Sequence, residues 1–288
     1  MAQRPDVSVM KHCGGLIGVG MVCLLLLVSP AVQSQSRLWL PPGSETSAET
    51  PVPELISKAV KIEGEILLGK LLFNSPSILG EKAVRIGLSC NNCHPSGHVN
   101  TGFYIEGLSD KPGQIDLTNR FWREEREDNI FNPTPIPSLR NVKNTAPYGS
   151  TTSLPTLAAF TRHVMHTEFG GPEPSREVLD ALVTYMSVLE KGPAPDTPVH
   201  VEAIPIAHLL KLLQTSVQKQ DLENYTIVSG LVREEIGRQI TEQNEAHMIS
   251  VIRDLQEIAS LFSKASDQLG DAYQKLLTRV SQLNSAHQ

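Results

Sequence analysis

Apolar positions beyond residue 53 fall into two textures, one periodic and one not. Leu55, Ala59, Ile62, Ile66, Leu67 and Leu71 recur at three- and four-residue spacing, which predicts a helix running on from Pro53. Asn74 to Gly80 breaks that run, and a short apolar stretch leads into Cys90. Residues 95 to 156 are instead rich in Gly, Pro, Asn and Asp. A loop of that length inside a folded domain is uncommon unless it wraps something. Periodicity returns from Thr156 to Leu189, with Leu157, Phe160 and Val164, then Val178, Leu182, Tyr185, Met186 and Leu189. Gly170-Gly171-Pro172 divides that stretch into two helices.

Residues 191–205 form a Pro-rich linker, and beyond them the text changes. Residues 206–288 contain no proline and read as three or four amphipathic helices. One series is Leu222, Tyr225, Val228, Val232, Ile236 and Ile240. Others run Ile249, Ile252, Leu255, Ala259, Phe262, and Leu269, Tyr273, Leu276, Val280, Leu283. The expected fold is therefore mainly α: a domain over 54–190 with long loops, then a C-terminal helical bundle or hairpin available for docking or oligomerisation.

The head of the chain reads as an export signal over 1–34. Arg4 and Lys11 precede the uncharged apolar run Gly14–Val28, and small residues through Ser34 offer a cleavage site. The alternative is a retained anchor, but the run falls short of the ~20 residues that span a bilayer. Cleavage leaves residues 35–53 as a flexible lead-in, no transmembrane span in the mature chain, and a periplasmic location. The net charge is −6 with no Lys/Arg block, which excludes nucleic acid and anionic membrane surfaces as partners.

Cys13 and Cys23 lie in the leader, so the mature chain keeps only Cys90 and Cys93. Cys90-Asn91-Asn92-Cys93-His94 is C-x-x-C-H, the covalent attachment signature of haem c. Two thiols on one turn can add to the two vinyl groups of one porphyrin, and the next imidazole becomes an axial iron ligand. Two other readings compete. His94 and His98 could complete a Cys2His2 zinc set, although structural zinc sites usually separate their ligand pairs by a loop or helix. A redox disulfide of thioredoxin type would want βαβ surroundings, which the sequence lacks.

The flanking text adds a resemblance. Leu68-Gly69-Lys70-Leu71-Leu72-Phe73, Ser89 to His94, Ile136-Pro137-Ser138-Leu139-Arg140-Asn141-Val142 and Thr145-Ala146-Pro147-Tyr148-Gly149 occur in that order. Together they resemble the bacterial dihaem cytochrome c peroxidase and MauG-like family over roughly residues 55 to 190. The resemblance implies a cytochrome c-like haem domain, with Cys90 and Cys93 anchoring one haem c and His94 as proximal ligand. Met165 falls near the place of the family's distal methionine. His163, His166 and His98 are the other distal candidates, and an open sixth position is the remaining possibility.

This chain carries one C-x-x-C-H where the family's peroxidases carry two. Peroxide reduction takes two electrons, so the single motif favours an exported electron carrier that exchanges electrons with a redox partner protein. A peroxidase-like enzyme fed by a partner is the alternative. A third reading is a helical assembly protein whose haem domain is vestigial or sensory.

Overall fold

The computed structural model describes residues 53–192 and 203–286, except 58, 150 and 151, with side chains described to 281. The leader, the lead-in and most of the 191–205 linker lie outside the described residues.

Helix α1 (Gly64–Asn74) and helix α5 (Arg176–Val188) form the closest pair in the first half. Gly69 makes that approach possible: a Cβ there would stand 2.0 Å from the Ala181 carbonyl oxygen. The Leu68-to-Phe73 run therefore has a physical content. Gly69 admits α5, Leu71, Leu72 and Phe73 are buried, and Lys70 reaches across to Glu54 at 2.6 Å.

The helix expected from Pro53 starts only at Gly64, whose φ of 53° lies in the left-handed region. Upstream residues form an extended strap, because the end of α5 and its neighbours satisfy their polar groups instead of a helical turn. Glu190 N–H donates to the Leu55 carbonyl at 2.7 Å, Ile56 bridges to Leu189, and Arg140 donates to the Pro53 carbonyl at 2.5 Å. Tyr185 fastens the same strap by donating to Glu54 at 2.6 Å.

Between α1 and the cysteine motif sits a short helix, α2 (Glu81–Ile86), where the sequence offered only an apolar stretch. The motif is itself one helical turn, α3 (Cys90–Cys93). The described residues between 95 and 156 are loop, as their composition implies, apart from 3-10 turns, one small ribbon and an isolated bridge between Tyr148 and Leu154. In that ribbon β1 (Gln114–Ile115) pairs antiparallel with β2 (Thr134–Pro135), Gln114 opposite Pro135. Helix α4 (Leu157–Arg162) follows, capped by the Thr156 hydroxyl, which accepts from Ala159 N–H at 3.1 Å. It runs directly into a π-helical turn, His163–Glu168.

Among the described residues the C-terminal part has five α-helices, where the sequence suggests three or four. Two are short, α6 (Ile206–Lys211) and α7 (Gln214–Gln218). Three are long: α8 (Leu222–Arg238), α9 (Glu245–Lys264) and α10 (Leu269–Ala286). Their buried stripes follow the sequence periodicity, with Tyr225, Val228, Val232 and Ile236 on α8 and Tyr273, Leu276 and Val280 on α10. Buried phenols knit the group: Tyr225 donates to the Leu255 carbonyl and Tyr273 to the Leu210 carbonyl, each at 2.8 Å.

Helix α8 also packs on α1, and Arg238 donates to the Asn74 carbonyl at α1's C-terminus at 2.7 Å. That contact places a cation on a helix end that lacks donors. The buried apolar residues of both halves belong to one continuous core. The molecule is mainly helical, and among the described residues no helix is long and apolar enough to cross a membrane.

Candidate cofactor cavity

The cysteine motif is shaped by its own intervening residues. Asn92 Oδ1 accepts from Ser89 N–H at 2.5 Å and from the Ser89 hydroxyl at 2.7 Å, which closes the N-terminus of α3. Asn91 Oδ1 accepts from Ser96 N–H at 2.9 Å and so turns the chain after His94. Asn100 then donates its side-chain amide to the Asn92 carbonyl at 2.8 Å. Gly97, at φ 74°, completes the turn; a Cβ there would meet Leu189 Cδ1 at 2.6 Å. Leu139 N–H donates to the Gly97 carbonyl at 2.9 Å and Asn141 N–H to the Leu189 carbonyl at 2.8 Å. The Pro137-to-Val142 segment thus ties the motif to the end of α5.

Against this turn lies a partly open cavity. Cys90, Cys93 and His94 line one part of it, and Phe73, Leu182 and Met186 bring walls from α1 and α5. A third wall is a single helical face: Leu157, Phe160, Thr161, Val164, Met165 and Glu168 recur at three- and one-residue steps. The π turn lies on this face, a feature frequent at functional sites. The exposed part of the lining is Thr134, Pro135 and Pro137, so the cavity opens along residues 134–137. The lining is predominantly apolar with few polar groups, as ligand pockets usually are.

Burial governs the ionisable groups. It pushes the Cys90 thiol up to about 12 and raises Cys93 further, with Cys90 adding to the effect, so both remain thiols. Burial also lowers His94 to about 4, against an opposing pull from the Pro137 carbonyl. Its imidazole is therefore neutral at physiological pH and can offer a lone pair. His94 Nδ1 is buried without a hydrogen-bond partner, a polar atom left over in an otherwise satisfied turn.

No family model, curated protein or solved structure matches this chain.

The distal candidates separate by position. Met165 is 1% exposed and lines the cavity. His166 does not line it: its Nδ1 pairs with the Gly171 carbonyl at 2.9 Å. His163 lies outside the lining as well, with Nε2 3.4 Å from Glu168 Oε1. His98 is exposed and outside the lining. Among the described residues no group of three or more His, Cys, Asp or Glu is placed to hold a metal ion.

Glu168 is the functional candidate that sequence inspection did not single out. It contributes the cavity's carboxylic acid; burial raises its pKa, and the nearby Arg126 guanidinium opposes that rise. Its sequence signal is faint, an acid three residues after Met165. Trp122, another loop residue, donates its indole N–H to the Asp116 carbonyl at 2.9 Å and packs edge-on against Phe169 at 4.7 Å. It supports the cavity wall from behind.

Proposed function

We propose that this chain is an exported, single-haem c-type cytochrome that transfers electrons. The observation that carries the reading is one apolar cavity whose lining includes Cys90, Cys93, His94 and Met165 together. The residues fit the group. The two thiols lie on one helical turn, burial holds His94 neutral, and its Nδ1 is buried without a hydrogen bond. The resemblance to dihaem cytochrome c peroxidases supports the same assignment and the cytochrome c-like nature of the 54–190 domain.

Cys90 and Cys93 would hold the haem covalently as thioethers, His94 would offer its imidazole lone pair to the iron, and Met165 would offer a thioether from the cavity wall. When bound, the haem supplies a one-electron Fe(III)/Fe(II) couple. Apolar walls from α1, α4 and α5 keep water from the site, and a thioether ligand favours the reduced state, so the potential is raised.

A second reading has one specific observation in its favour. Glu168 is a partly buried acid in the cavity wall, the kind of group a peroxidase-like enzyme would need to exchange protons with peroxide. The ferric spectrum of the haem-loaded protein separates the two. A six-coordinate low-spin haem with the methionine–iron charge-transfer band, unreactive toward hydrogen peroxide, is expected. A high-spin haem consumed by peroxide would replace electron transfer with the peroxidase reading.

A further inference from the structure

Resting on that function, we infer that His166, Gly171 and Arg123 form a clasp that positions Met165. By holding the thioether on the cavity wall, the clasp keeps the sixth iron site closed to small ligands. It begins in the backbone. A helix ends on carbonyls that have no intrahelical donor, and in the π turn His163–Glu168 the carbonyls of Val164, Met165 and His166 each find a separate one. Phe169 N–H donates to the Val164 carbonyl at 3.1 Å and Gly171 N–H to the Met165 carbonyl at 2.8 Å. The third donor comes from the long loop, where the Arg123 guanidinium reaches the His166 carbonyl at 3.0 Å.

The His166 ring closes the clasp. Its Nδ1 lies 2.9 Å from the Gly171 carbonyl, which can only accept, so Nδ1 carries the hydrogen. Gly171 therefore gives its N–H to Met165 and accepts from the neighbouring His166, a reciprocal pair that ties residue 171 back onto the turn. Only glycine fits there. A Cβ at 171 would collide with the Ile78 carbonyl oxygen and stand 2.8 Å from that of Met165. Ile78 belongs to the 3-10 turn Pro76–Leu79, whose Leu79 lines the cavity, so the clasp is wedged against the cavity's own wall.

What the clasp fixes is a direction. A π turn takes in one residue more than an α turn, and each residue turns a helix by about 100°. A lapse to α-helical pairing therefore rotates one end of the turn against the other. Met165, at its middle, then leaves the place it holds on the cavity wall. His166 and Arg123 are not needed to fill the core: their side chains are 41% and 31% exposed. Their other polar neighbours are exposed acids, Glu173 at 3.8 Å from His166 Nε2 and Glu125 at 3.4 Å from Arg123 Nε. A site closed by a thioether suits electron transfer, whereas an open one suits binding of peroxide or another small ligand. The clasp thus sets which of the two chemistries the cavity supports.

The test uses the full haem-loaded protein and reads the ferric spectrum, the midpoint potential, the affinity for added imidazole and the urea midpoint. His166→Phe removes the ring donor, and Arg123→Met removes the guanidinium while keeping its stem. Each should diminish the methionine–iron band and lower the potential. Each should also tighten imidazole binding about tenfold, the scale of one lost hydrogen bond (about 1.4 kcal/mol), because the open fraction grows. His166→Asn, whose side-chain amide can stand where Nδ1 does, should return all three towards parental values. Arg162→Gln, which gives up an exposed ion pair with Glu173 on the same helix, should leave them unchanged. Parental spectra and imidazole affinity in both clasp variants, whether or not urea unfolds them sooner, overturn this inference alone. So does a His166→Asn protein no better than His166→Phe. A haem-bearing parent with no methionine–iron band overturns it together with Met165 as ligand, and a chain that takes up no haem overturns the function beneath it.

Discussion

Met165 is the side chain on which the account makes its sharpest demand. It is buried, so truncation to Ala costs about 2–5 kcal/mol whatever else it does. Met165→Leu separates packing from ligation, because a volume-conserving swap costs under about 1.5 kcal/mol. The expectation for Met165→Leu in the haem-loaded protein is near-parental unfolding by urea together with loss of the methionine–iron band and a lowered midpoint potential. A parental spectrum in that variant would return Met165 to the role of core filler. This residue and the Cys90–His94 turn were legible in the sequence because their chemistry is local, five consecutive residues and one methionine on a periodic face. Glu168 and Arg126 were not, since nothing in Glu124–Asp128 marks the arginine whose charge reaches Glu168.

Among the elements, the α1–α5 contact is the one that sets the cavity's width. Gly69 stands where any Cβ would overlap the Ala181 carbonyl. Gly69→Val must push the helices apart, and overpacking of this kind costs about 1–3 kcal/mol or more. A lowered urea midpoint and reduced haem uptake are expected; parental values for both would mean that α1 and α5 are not held at this distance in solution. The periodicity of Leu157 to Leu189 predicted two helices and a Gly-Gly-Pro break, and the helices found there agree. Sequence spacing could not show that the first of them widens into a π turn, because that depends on what α4 packs against. It also misplaced the start of α1: Leu55 and Ile62 have helical spacing, yet their segment is fixed by partners more than a hundred residues away, at Tyr185, Leu189 and Glu190.

At the scale of the molecule, both halves share one core and one vulnerability to alkali. Burial raises Tyr185 far above its usual range with the Glu54 carboxylate adding to it, raises Tyr225, and lifts Tyr273 from 10.0 to about 12. Between the unfolded and folded values the folded chain binds more protons, so stability falls as pH rises from about 10 upward. Tyr225→Phe should make that decline shallower by one proton, read as the slope of unfolding free energy against pH; an unaltered slope would show that Tyr225 titrates normally. The C-terminal helices were legible as helices because each buries a continuous stripe, whereas their docking on α1 through Arg238 and Asn74 has no local signature. The account as a whole stands on the covalent cofactor. The decisive measurement is the intact mass and pyridine haemochrome spectrum of the chain after export through a cytochrome c maturation pathway. The account predicts one haem c per chain, reduced to non-covalent or lost in Cys90→Ala with Cys93→Ala; a matured chain of bare polypeptide mass would contradict it.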